Sequence, residues 1–81
     1  MKPHEQVTLA LSLLEIETGF LYANRTEPDR YYAFCPRLDL RVIDSTEEGA
    51  VELLMVEMEI LLNECPSLVT DILYPPAGKN G

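Results

Sequence analysis

The alternation of apolar and polar residues divides the chain into several short segments and one long one. Residues 7–13 alternate strictly and place four apolar side chains on one side, which is typical of a half-buried strand. The same segment also has polar residues at helical spacing, and Gly19 suits the position that follows a helix C-terminus. A helix therefore stays an alternative, although the alternation favours a strand.

Two aromatic-rich runs, residues 20–25 and 30–35, flank a four-residue segment that contains Pro28 and Asp29. Proline fixes the φ angle of a turn and aspartate hydrogen-bonds to its own backbone, so this pattern predicts a β-hairpin. A third run, residues 38–43, follows closely and is expected to pair with the second strand.

The longest periodic segment predicts a helix that ends at Asn63 or Glu64, because the residue before Pro66 disfavours the helical conformation. At its start, Ser45 and Glu48 form the Ser-x-x-Glu pattern of a capping box, in which each side chain binds the backbone N–H of the other residue. This helix is the clearest element of the sequence.

Residues 67–73 predict one more short strand, and residues 75–81 are expected to form a frayed, flexible C-terminal tail. The expected architecture is one α+β domain over residues 1–74. It has an antiparallel sheet of three to four strands covered by one long helix, in a β-β-β-α order, with the N-terminal segment as an extra strand.

The predicted helix has two apolar faces when its residues are placed at 100° intervals. A broad arc is expected to cover the sheet: Ala50, Val51, Leu54, Met55, Met58, Leu61 and Leu62. A narrower stripe of Leu53, Val56 and Ile60 lies between acidic stripes and cannot face the same sheet. It is interpreted as a dimer or partner interface. The alternatives are that these residues pack against the N-terminal segment or the C-terminal tail, or that they are scattered apolar residues on the surface.

Charge is segregated along the 81-residue chain, whose formal net charge is −8. Residues 44–78 contain eight acidic residues and no lysine or arginine, whereas acids and bases cancel elsewhere. This balance disfavours direct binding to nucleic acid, which requires cations. An acidic binding face is expected along Glu48, Glu52 and Glu59, with ordinary solvation of a helix surface as the alternative. The four arginines, in residues 25–41, are interpreted as strand and turn residues rather than as a cationic rim.

The sequence contains no pattern typical of catalysis, of a metal site or of a cofactor site. His4 is the only histidine, and Cys35 and Cys65 are expected to be buried apolar residues or, if close together, a disulfide. We therefore expect a protein that is not an enzyme and holds no cofactor. The apolar runs are too short to span a bilayer, and two cysteines are typical of a reducing compartment, so a cytoplasmic location is expected.

Two motifs resemble the HicB family of antitoxins over about residues 19–64. The strand-end motif comprises Tyr32, Phe34, Cys35, Pro36 and Leu38, and the helix-start motif comprises Asp44, Ser45, Glu47 and Glu48. The resemblance implies a stand-alone, partial RNase H-like domain without catalysis that sequesters a small basic toxin ribonuclease.

The sequence departs from the HicB pattern at several positions. Asp39-Leu40 replaces the Pro-Gly of the family, Ile43 replaces a glycine, and Gly49 replaces the helix-start alanine. Residues 1–18 have no counterpart, and no DNA-binding segment follows the helix, so autoregulation through operator DNA is not implied.

The primary functional hypothesis is an acidic, non-catalytic antitoxin-type protein that binds a basic partner and forms a dimer. Two alternatives remain open at this stage. One is an acidic inhibitor of phage type that mimics DNA phosphates, and the other is a small housekeeping homodimer whose acidic surface only maintains solubility.

Overall fold

The computed structural model describes residues 2–21 and 30–75. Within these ranges the chain forms three helices and one antiparallel sheet. The elements follow the order α1 (Pro3–Leu13), β1 (Glu17–Leu21), β2 (Arg30–Cys35), β3 (Leu40–Asp44), α2 (Glu47–Glu64) and α3 (Pro66–Leu73). The α+β class and the antiparallel sheet are confirmed, whereas the expectation of one helix is wrong.

The N-terminal segment is the helix α1 and not a strand. Val7 and Ala10 are buried, and Leu11 and Leu14 are partly buried beside them, which is the spacing of a helical face. The predicted strand would place Leu9 and Leu13 on the same face as Val7, but both leucines are exposed. Leu and Ala favour helices, and the Glu5 carboxylate accepts a hydrogen bond from the Lys2 N–H at 3.3 Å.

The last predicted strand, residues 67–73, is also a helix. Pro66 occupies the first turn of α3, where its missing N–H removes no helical hydrogen bond. Val69 and Ile72 are buried against α1 and α2, and Leu68 and Leu73 pack beside them. A helix is the structure that brings these four side chains to one side.

The three strands form a meander in the order β1-β2-β3. In the central strand β2, Tyr32 pairs with Gly19 of β1 and Ile43 of β3. Phe34 pairs with Glu17 of β1 and Arg41 of β3. The predicted turn at residues 26–29 lies outside the described residues. The predicted third strand begins two residues late, because residues 36–39 form a turn in which Asp39 donates its N–H to the Pro36 carbonyl oxygen at 3.2 Å.

Helix α2 ends at Glu64, as its pattern predicts, but it begins one residue later than the predicted cap implies, because its N-cap is Thr46 and not Ser45. The Thr46 hydroxyl accepts a hydrogen bond from the Gly49 N–H at 2.9 Å. Cys65 follows the last turn and precedes Pro66, as predicted.

Two adjoining clusters form the core, and α2 contributes to both. Val7, Ala10, Leu62, Val69 and Ile72 pack between the three helices. Ala33, Cys35, Ala50, Leu54 and Met58 pack between α2 and the sheet. In the described residues, α2 therefore covers one face of the sheet and takes part in both clusters, while α3 packs on α1 and α2.

Candidate protein-binding surface

The inner face of α2 matches the predicted broad apolar arc. Ala50, Leu54, Met58 and Leu62 are buried, while Val51, Met55 and Leu61 are partly buried at the margins. Because these residues contact the sheet and the other helices, the orientation of α2 is fixed. The opposite side of the helix is consequently presented to solvent.

The narrow apolar stripe lies on this outward side. Leu53, Val56 and Ile60 keep 43%, 53% and 47% of their surface exposed. They belong to neither core cluster among the described residues. Their three- and four-residue spacing places them in one row about 10 Å long on a helix that rises 1.5 Å per residue. We call this row the apolar ridge.

Exposed carboxylates flank the apolar ridge on both sides. Glu48, Glu52 and Glu59 are exposed on one side, as predicted, and Glu57 and Glu64 are exposed on the other. Glu47 differs from these residues, because its carboxylate accepts a hydrogen bond from the Thr18 hydroxyl of β1 at 2.8 Å. Glu47 thus links α2 to the sheet.

An open groove of about 390 Å³ joins the apolar ridge to the start of α2. Leu53, Val56 and Glu52 line one part, and Asp44 and Gly49 line the other. Sequence reasoning missed this groove. A signal was available in the glycine at position 49, which leaves the first turn of the helix without a side chain there.

The described arginines lie away from α2. Arg30 and Arg41 are on strands, and the Arg41 guanidinium lies 5.7 Å from the ring centre of Phe34, its partner across the sheet. Arg37 donates a hydrogen bond to the Asp71 carbonyl oxygen at 3.2 Å. These positions agree with the interpretation of the arginines as strand and turn residues, and Arg25 lies outside the described residues.

The residues considered for metal or thiol chemistry lie apart. His4 is exposed on α1, Cys35 is buried in the sheet, and Cys65 is partly buried at the end of α2; both cysteines are free thiols. In the described part of the chain, no three His, Cys, Asp or Glu side chains are grouped as a metal site requires. None of the helices in residues 2–21 and 30–75 has the length and hydrophobicity needed to cross a bilayer.

Comparison with protein families, curated proteins and solved structures finds no match. The HicB resemblance therefore depends on the two motifs alone. In the structure, the residues of the strand-end motif lie in β2 and in the turn after it, and those of the helix-start motif lie at the junction of β3 and α2.

Proposed function

We propose that this chain is an antitoxin-type binding protein whose α2 surface covers the nucleic-acid-facing surface of a small basic protein. The observation that carries the proposal is the exposed apolar ridge between two rows of exposed carboxylates. Apolar side chains supply contact area, and the surrounding carboxylates select a cationic partner and accelerate its association.

A comparison of free energies indicates that the apolar ridge and the carboxylates act together in binding. Full burial of a Val, Leu or Ile side chain contributes about 1.5–3 kcal/mol, so burying the exposed half of three such residues contributes about 2–4 kcal/mol. Association costs about 4–15 kcal/mol in lost freedom of motion. The apolar ridge alone is therefore insufficient, and binding should depend strongly on salt concentration.

The same charges disfavour a dimer formed through α2. A two-fold symmetric contact brings the same surface of each copy together. Here it would place Glu52 and Glu59 of one copy near the carboxylates of the other, and like charges at an interface cost several kcal/mol. A basic partner avoids this repulsion. The β1-β2-β3-α2 order is also compatible with the HicB resemblance, which supports a toxin ribonuclease as the class of partner.

The test is affinity capture from native extract, in parallel with co-expression of any short, strongly basic reading frame beside the gene. Wild-type protein should capture one dominant basic protein, release it at high salt and inhibit its cleavage of RNA. The double variant Glu52→Lys/Glu59→Lys should lose at least about tenfold in affinity. The control Glu15→Lys/Asp71→Lys has the same net charge and should bind like wild type. Equal losses in both variants, or no loss in either, would contradict the proposal.

A second pair of variants separates this proposal from mimicry of DNA phosphates. A DNA mimic uses its carboxylates, so removing the apolar ridge should leave its binding intact. We expect Leu53→Ser/Ile60→Ser to weaken binding at least about tenfold. The control Leu9→Ser/Leu13→Ser removes two leucines from α1 that are exposed to a similar degree, and it should have no effect. Retained binding by the ridge variant, together with competition by duplex DNA, would favour the mimic.

A further inference from the structure

The sheet face that points away from the helices carries a mixed apolar and charged surface. Strand pairing places its side chains in three rows across β1, β2 and β3: Glu17–Phe34–Arg41, Gly19–Tyr32–Ile43, and Leu21–Arg30. Leu21 and Ile43 are exposed, and Tyr32 and Phe34 are only half-buried. Helix α2 packs on the other side, against Ala33 and Cys35, with Leu11 and Leu14 of the α1 segment beside it. We call this surface the outer sheet face.

Two contacts within the outer sheet face fix its central aromatic side chains. The Tyr32 ring lies over Gly19, where it occupies the space that a Cβ atom would need. The Arg41 guanidinium lies over the Phe34 ring, with 5.7 Å between its central carbon and the ring centre. Both aromatic rings are thus held by their cross-strand partners. A sheet face whose side chains are held in place suits face-to-face packing against a second sheet at about 10 Å.

We infer that the outer sheet face binds the same face of a second copy of this chain, around a two-fold axis parallel to β2. That axis exchanges β1 and β3, so Glu17 of each copy lies opposite Arg41 of the other. The same operation places Ile43 opposite Gly19, where Ile43 would contact the Tyr32 ring that lies over the glycine, and it brings Phe34 and Tyr32 next to their own copies.

Charge complementarity selects this arrangement over the other in-plane axis. An axis perpendicular to β2 would place Glu17 opposite Leu21 and Phe34 opposite Arg30, so no opposite charges would meet. With the axis along β2, Arg30 opposes its own copy only at the end of the face, where water and salt screen the repulsion. This inference concerns a different surface from the α2 site and does not depend on the proposed function.

Exchanging the charges of Glu17 and Arg41 tests the inference. The mass of each protein is measured by sedimentation velocity over a series of concentrations from low to high micromolar. The wild-type chain of 9.2 kDa should sediment as a dimer. Glu17→Arg and Arg41→Glu should each weaken the dimer at least about tenfold, because two symmetry-related pairs become repulsive. The double variant Glu17→Arg/Arg41→Glu restores opposite charges and should recover the wild-type dissociation constant to within about threefold.

Ile60→Glu on α2 is the control, and it should leave the dimer mass unchanged. If a single variant loses its helical circular dichroism, Ile43→Lys replaces it as the disrupting change. A wild-type monomer at every concentration would overturn the inference. So would a double variant that stays as weak as the single ones, or a dimer that Ile60→Glu dissociates.

Discussion

At the scale of single residues, the first turn of α2 is held by the side chains of Asp44 and Thr46. The Asp44 carboxylate accepts hydrogen bonds from the Thr46 N–H and hydroxyl, both at 3.4 Å, and the Thr46 hydroxyl caps the helix at the Gly49 N–H. A Cβ on Gly49 would collide with the Asp44 carboxylate. Glycine at this position costs about 1 kcal/mol in helix propensity, but it leaves room for this network.

The two adjacent hydroxyl residues before α2 should differ in their contribution to stability. Replacing Thr46 with Ala removes the N-cap and should lower the free energy of unfolding by about 1 kcal/mol. Replacing Ser45 with Ala should change it by less than about 0.5 kcal/mol, because Ser45 is exposed and does not cap the helix. Urea unfolding of both variants measures the difference. Equal effects, or a larger effect at Ser45, would favour the cap that the sequence pattern predicts.

Gly49 and Asp44 should be energetically coupled. Gly49→Ala in the wild-type chain gains helix propensity but displaces the Asp44 carboxylate from Thr46. In an Asp44→Ala background the same change should be more favourable by about 1 kcal/mol, since the main obstacle is gone. A double-mutant cycle from denaturant unfolding measures this coupling. A coupling indistinguishable from zero would show that Asp44 does not occupy this space.

At the scale of elements, the long helix could be predicted from the sequence, whereas the two short helices could not. Helix α2 has 18 residues and a continuous period, so its end, its start to within one residue and its buried face could be predicted. Helices α1 and α3 have 11 and 8 residues, and short apolar runs fit either a strand or a helix. Their structure is decided by packing between Val7, Ala10 and Ile72, which are distant in sequence.

Neighbouring positions in α1 should respond differently to an introduced charge. Ala10 is buried between the helices, so Ala10→Glu should lower the free energy of unfolding by about 2–3 kcal/mol or more. Leu9 is exposed, and Leu9→Glu should change it by less than about 0.5 kcal/mol. Thermal and urea unfolding measure both variants. The opposite order is the result expected if residues 7–13 formed a strand with Leu9 facing the core.

Adjacent leucines in α2 should separate stability from binding. Leu54 is fully buried, so Leu54→Ala should cost about 2–5 kcal/mol of unfolding free energy. Leu53→Ala removes part of the apolar ridge and should leave stability nearly unchanged while weakening partner binding. Denaturant unfolding and a binding titration of the same two proteins test this. A large stability loss at Leu53 would mean that the apolar ridge belongs to the core.

At the scale of the whole molecule, the fold separates two kinds of surface. The outward side of α2 is acidic with an apolar ridge, and the outer sheet face carries arginines, aromatic rings and one carboxylate. Helical periodicity was enough to predict the first surface. The second surface depends on the pairing register of β1. This strand begins at Glu17, whereas the sequence predicts a strand over residues 20–25. Strand register is fixed by long-range pairing, so the rows of the outer sheet face could not be predicted from the sequence.

The two surfaces should be separable by substitution, because α2 and the outer sheet face lie on opposite sides of the sheet. Ile60→Glu should abolish partner capture and leave the dimer intact. Arg41→Glu should dissociate the dimer and leave the affinity of each chain for the partner within about threefold of wild type. Sedimentation and a binding titration on the same preparations test the pair. Loss of both properties in either variant would indicate a single shared interface.

Amide NMR of the labelled protein, titrated with the captured basic partner, tests the role of α2 most directly. The largest shift changes should fall on Glu52, Leu53, Val56, Glu59 and Ile60, and on the groove at Asp44 and Gly49. Tyr32 and Ile43 should be unaffected by the partner. Shift changes centred on the outer sheet face, with the outward side of α2 unperturbed, would contradict the proposed binding surface.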